Sequence, residues 1–77
     1  SMKDLVEYIA KSLVDNPDAV KVTTIRGARA TISELRVAPE DKGWVIGRHG
    51  RVANAMRALL RVASMTRGER RAVLEIV

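Results

Sequence analysis

The chain has 77 residues, no cysteine, one histidine and a formal net charge of +5. That length makes one small domain that buries only about 60–65% of its unfolded surface, and the missing cysteines exclude disulfides and thiolate-bound zinc. A lone histidine argues against an imidazole metal site, no apolar run approaches the ~20 residues of a bilayer span, and no secretion signal is present. The expectation is a soluble, cytoplasmic protein with no membrane contact, no metal and no cofactor.

Ser1 before Met2 reads as a remnant of cloning, so the domain is taken as residues 2–77. From Met2 to Asp15, apolar residues recur at Leu5, Val6, Ile9, Ala10, Leu13 and Val14, the period of an amphipathic helix. Asn16-Pro17 ends it, because the residue before proline avoids the helical region. Val20 to Arg26 is rich in β-branched residues and roughly alternates, which predicts a strand. Gly27-Ala28 turns the chain, and a second strand runs from about Arg29 to Val37. That strand is imperfect: Ile32 falls on one face, Leu35 and Val37 on the other. Either a bulge lies near Ser33-Glu34, or Ile32 sits on an open sheet face beside Ile25.

Pro39-Glu40-Asp41 reads as the first turn of a helix, with proline at the first position and two acids at the positive end. This helix lasts to Ile46. A longer one follows from Gly50 to about Thr66, with Val52, Met56, Leu59, Leu60 and Ala63 predicted on its core face and Arg57 and Arg61 opposite. Thr66-Arg67-Gly68 stops it, and Arg71 to Val77 is a final strand with Ala72, Leu74 and Ile76 on one side. The order α-β-β-α-α-β predicts an α+β fold, a three-stranded sheet with helices packed on one face. The third strand arrives after a helical crossover, which allows a parallel pairing and a mixed sheet. No repeat, linker or low-complexity tract divides the chain.

Charge is unevenly spread. Lys42 to Arg71 holds eight cations against Glu69 alone, a net of +7, while the rest of the chain carries six cations and eight acids, a net of −2. Seven of those eight cations are arginine, whose planar fork suits phosphate. Inside this segment lies Ile46-Gly47-Arg48-His49-Gly50. Two glycines three apart let the backbone bend sharply and approach a large ligand. Loop N–H groups and the positive end of the next helix then converge on one point, which suits a phosphate. G-x-x-G alone is a weak signal, and helix capping explains the glycines. It does not explain Arg48 and His49 between them, nor the basic helix beyond.

Val45-Ile46-Gly47-Arg48-His49-Gly50-Arg51-Val52 resembles the V-I-G-x-x-G-x-[IV] signature of the K-homology (KH) domain. The element order resembles its bacterial type II version. The likeness runs upstream through Leu35-Arg36-Val37-Ala38-Pro39-Glu40-Asp41-Lys42-Gly43 and downstream through Ala53, Ala55, Met56, Arg57 and Val73 to Val77. Over essentially Met2 to Val77 the chain resembles the small stand-alone bacterial KH proteins of the KhpA family. KH loops clamp the backbone of about four single-stranded nucleotides while bases lie in an adjoining apolar groove. The resemblance implies that Gly47, Arg48, His49 and Gly50, with Arg51, hold phosphates. It implies that Val45 and Ile46 line or support the groove floor, and that Leu35, Arg36 and Val37 form the opposite wall. His49 either adds pH dependence, because imidazolium binds phosphate better than imidazole, or points into solvent.

Trp44 has two readings, as a base-stacking platform or as a cover for the core. Tyr8 reads as surface. The scarcity of aromatics argues against RNA-recognition-motif and oligonucleotide-fold modes. Ala55, Ala58, Val62 and Met65 run along one flank of the long helix. They form either a self-association face or a contact with the first helix of the same chain. The family resemblance implies a homodimer or a heterodimer with a larger KH-containing protein. The function expected is non-enzymatic binding of single-stranded RNA, as an RNA chaperone or post-transcriptional regulator. An adaptor recruiting a larger KH partner is the alternative. A helix-turn-helix reader of duplex DNA fits the glycine pair and three strands poorly, and an enzyme lacks a paired histidine, a cysteine or grouped acids.

Overall fold

A computed structural model describes all residues from Ser1 to Val77. The chain runs α1 (Met2–Leu13), β1 (Lys21–Arg26), β2 (Ala30–Arg36), α2 (Pro39–Ile46), α3 (Arg51–Thr66) and β3 (Arg71–Ile76). The strands form one sheet in the order β1-β2-β3. β1 and β2 are antiparallel and β2 and β3 parallel, so the sheet is mixed as expected. The architecture is the α+β fold that the pattern predicts, in the type II KH arrangement that the family resemblance implies.

The register from Lys21↔Arg36 to Arg26↔Thr31 is unbroken, so no bulge interrupts β2. Ile32 instead pairs with Ile25 and Val73 on the open face of the sheet. Leu35 pairs with Val22 beneath the helices, where both are buried. A period of 2 then places buried Ser33 on that same inner face.

Several boundaries differ from the sequence reading for local reasons. α1 stops at Leu13, where Val14 turns extended. β1 begins at Lys21 because Pro17–Ala19 forms a 3₁₀ turn, and the Val20 N–H donates to the Pro17 carbonyl. Ser1, set aside in the sequence reading, is the N-cap of α1: its Oγ accepts from the Asp4 N–H at 3.3 Å. Such a cap satisfies one of the helix's unpaired donors.

The core gathers Val6 and Ala10 of α1, Leu35 of β2, Val45 of α2, Met56 and Leu60 of α3, and Leu74 of β3. Each large aliphatic side chain buried this way contributes about 1.5–3 kcal/mol. Leu59, expected in that core, is 56% exposed. The buried stripe of α3 is Ala53, Met56, Leu60 and Ser64, and at 100° per residue Leu59 is rotated away from its centre. The small Ala53 and Ser64 bring the helix close to its neighbours, which hydropathy alone does not signal.

Candidate nucleic-acid interface

α2 is the frame of the site. Asp41 does more than complement the helix's positive end. It is buried, and its two carboxylate oxygens accept the backbone N–H groups of Asp15 and Asn16, each at 3.1 Å. One turn on, the Trp44 indole Nε1–H donates to the Leu13 carbonyl at 2.7 Å. Between them, these residues tie α2 to the end of α1 and satisfy orphan backbone groups there. The Trp44 ring remains 61% exposed, with its polar edge committed to α1.

α2 ends in a bend that only this sequence allows. Gly47 has φ 75° and ψ 168°, and a Cβ there would lie 2.7 Å from Val52 Cγ2 and 3.0 Å from Val52 N. His49, at φ 59° and ψ 25°, is the only non-glycine residue with positive φ, and Gly50 follows at φ 73°. Histidine tolerates the left-handed region better than most side chains, but the position still stores backbone strain, a feature that clusters at ligand clamps. The Gly47 and Gly50 N–H groups donate to the Gly43 and Gly47 carbonyls. Arg48 and His49 form a single turn between these glycines, and the Arg51 N–H donates to the Arg48 carbonyl.

The side chains follow from this frame. Arg48, His49 and Arg51 are exposed, Gly47 and Gly50 half-buried, and Ile46 opens to solvent at the loop's entry. Val45 and Leu35 are 0% exposed and Val37 is nearly so. These three belong to the core and present no surface of their own. Arg36 is exposed but pairs with Lys21 on the sheet's open face, away from the helix layer that carries the loop. The bend thus unites Ile46 to Arg51 and leaves Leu35, Arg36 and Val37 outside the surface they share.

Both ion pairs of the molecule, Ser1 with Asp4 and Lys11 with Glu7, lie at α1. None of the eight cations from Lys42 to Arg71 has a carboxylate within 4.0 Å. Arg57, placed by sequence on the face of α3 opposite the core, lies against β3. Its Nε and Nη2 both donate to the Leu74 carbonyl at 3.3 Å, and its Nη1 to Asn54 Oδ1 at 3.0 Å. Those acceptors are neutral, so its charge stays uncompensated.

On the outward side of α3, Ala55, Leu59, Val62 and Met65 are exposed and Ala58 is half-buried. Val62 and Met65 are 60% and 73% exposed, so packing against α1 does not cover this flank. Leu59 joins the four residues expected there.

A strained G-x-x-G bend between two helices, over a sheet in which a parallel pair adjoins an antiparallel one, defines a KH domain of type II. The model of the KhpA/KhpB KH-domain family matches residues 3–76, and the chain belongs to that family. A protein of Caldanaerobacter subterraneus subsp. tengcongensis named RNA-binding protein KhpA is 51% identical over 76 residues, covering 99% of this chain and all of the relative. Relatives of the same name from Clostridium acetobutylicum and Aquifex aeolicus are 50% and 48% identical, covering 99% and 100% of this chain and 100% and 96% of their own lengths. Among solved structures, Aquifex aeolicus Era, in its Y63A form bound to GDP and AlF4⁻, superposes with a TM-score of 0.68 at 18% identity. The match takes in 97% of this chain and 29% of Era, so the likeness is one of fold within a longer protein.

Proposed function

We propose that this chain binds single-stranded RNA without catalysing a reaction, gripping the sugar–phosphate backbone at Gly47–Gly50. One observation carries the reading: a bend held open by positive φ at Gly47, His49 and Gly50 exposes Arg48 and His49 beside cations with no acidic partner. A phosphate seated in such a bend would compensate the charge and take hydrogen bonds from main-chain N–H groups that face it. The name RNA-binding protein KhpA, carried by relatives about 50% identical over nearly the whole chain, supports the same ligand. Residues 2–77 act as one unit in this reading, in the cytoplasm, as an RNA chaperone or post-transcriptional regulator. Two or three phosphates at one loop give modest affinity and a salt slope of about −1.5 to −2, at ~0.7 per phosphate of single strand.

The test is the double variant Arg48→Asp/His49→Asp, titrated against a labelled oligoribonucleotide. Aspartate tolerates the left-handed region, so the fold survives while two carboxylates face the phosphates. Loss of binding is expected; full retention would refute the loop as the site.

The outward face of α3 supports a second role, docking another KH domain through Ala55, Ala58, Leu59, Val62 and Met65. The exposure of Leu59, Val62 and Met65 on one face favours it. A self-pair gives a homodimer; a larger KH-containing protein gives an adaptor complex. Light-scattering mass of the wild type against Val62→Glu tests the self-pair, with a fall from dimer to monomer expected.

A further inference from the structure

Positive charge gathers at two ends of the molecule. α3 holds 16 residues, ~24 Å at 1.5 Å each. It separates the loop at its start from the turn Arg67-Gly68-Glu69-Arg70-Arg71 at its end. The pairs Ala30↔Arg71 and Arg26↔Thr31 set that turn beside the β1–β2 turn, Arg26-Gly27-Ala28-Arg29. The two turns hold Arg26, Arg29, Arg67, Arg70 and Arg71 against Glu69 alone, and Lys3 joins them from the start of α1. None of these cations has a carboxylate within 4.0 Å. Much of the charge that sequence assigns to the loop's own segment thus lies at the far end of α3 from the loop.

A concavity of about 700 Å³ opens at this end, between Lys3, Thr24, Arg26, Thr31, Glu69 and Arg70. Its floor is the inner face of the sheet where the helices no longer cover it. Along that face Val22 is buried while Thr24 and Arg26 are exposed, and Ser33 is buried while Thr31 is half-buried. Met2, the one apolar residue of the lining, is buried in the core. Asp4 is engaged with the Ser1 ammonium at 3.6 Å. Glu69 is left as the acid of the lining against Lys3, Arg26 and Arg70, a net of +2.

A protein partner needs apolar or aromatic anchors at the centre of its interface, and this concavity presents none. It offers hydroxyls and guanidinium forks, the groups that meet phosphate and sugar oxygens. No aromatic ring lines it, so it has no platform for a base. We infer that this end is a second site for RNA, taking two phosphates of single-stranded backbone without regard to sequence. One chain then holds two RNA segments, ~24 Å apart along α3. The inference deepens the RNA-binding reading and rests on it. The loop grips one strand in its bend; the far end adds a second through side chains alone and fills after the loop.

The experiment is an amide chemical-shift titration with tetrauridylate, a length that the loop takes up whole. Residues 47–51 report the loop; residues 68–71 and Thr31 report the far end. In the wild type both groups should move and saturate separately, the loop first, with two tetranucleotides bound per chain. Arg26→Glu/Arg70→Glu, at two exposed positions, should weaken the far-end response at least about tenfold near 0.15 M salt and leave the loop's response unchanged. Inorganic phosphate at the same concentration should move the far end much less, because one ion replaces two linked phosphates. An equal response to the ion would assign the site to free phosphate and overturn its assignment to RNA. A far end that stays still, that saturates together with the loop at one tetranucleotide per chain, or that responds equally in Arg26→Glu/Arg70→Glu would overturn the inference as well. Failure of the loop reading shows separately, as loop amides that stay still or that respond equally in Arg48→Asp/His49→Asp.

Discussion

At Asp41, within the first turn of α2, a buried carboxylate has both oxygens filled by backbone N–H groups from the end of α1. Beyond the C-terminal end of the same helix, three of the four residues Gly47–Gly50 adopt positive φ, and Arg48 and His49 are exposed. One end is closed and satisfied, the other open and strained. The locked end gives the open end something rigid to stand on.

The largest effect is expected at the locked end. Asp41→Ala strips two amides of their acceptor; because both bonds are part-buried, each costs about 1–1.5 kcal/mol, the low end for an unsatisfied group, for a total of about 2–3 kcal/mol. In a domain of this size that lowers the melting temperature by roughly 10–20 °C. Below the melting transition, RNA affinity per folded molecule should be nearly unchanged, since Asp41 touches no part of the bend. A melting temperature unmoved in thermal denaturation would break the contrast between the two ends.

Trp44 sharpens the same comparison at intermediate size. Its indole N–H serves the latch, and Trp44→Leu removes that bond at a cost of about 1 kcal/mol. If the ring also served the open end as a base platform, RNA affinity would fall by a further ~1–3 kcal/mol, about 5- to 150-fold. The hydrogen bond to Leu13 predicts the first loss without the second, read by melting temperature and by titration.

The contrast also marks what the sequence could reveal. Pro39 and Gly47 are local punctuation, so the bounds of α2 were legible to the residue, and the sharp G-x-x-G bend with its exposed basic filling was legible too. The partners of Asp41 and Trp44 lie 25 to 31 residues away, and that of Arg57 lies 17 away. Such pairings exist only once the helices stack. Arg57 and Arg61 could be placed one turn apart, but the Leu74 carbonyl that holds Arg57 comes from β3. Leu59 was misplaced because its hydrophobicity outweighed Ala53 and Ser64, two small residues that set the true phase of the α3 core. Leu35 and Val37 carried a family expectation to a strand whose inner face the helices already cover.

The smallest effect separates backbone from side chain at the open end. His49 holds a left-handed conformation whose strain costs about 1–2 kcal/mol for a residue with a Cβ. His49→Gly relieves that strain but returns roughly 0.5–1 kcal/mol to the unfolded chain's freedom. The net change in stability should be a stabilisation below about 1 kcal/mol. RNA affinity is the more telling readout. If main-chain N–H groups do the gripping, glycine presents the same amide in the same φ and ψ, and affinity at neutral pH should fall by less than about threefold, ~0.6 kcal/mol. A loss as large as that of the double aspartate variant would move the grip from the peptide bonds to the imidazole. The strain at His49 would then serve to aim a side chain, and the bend would be a hinge for one charged group in place of a nest of amides.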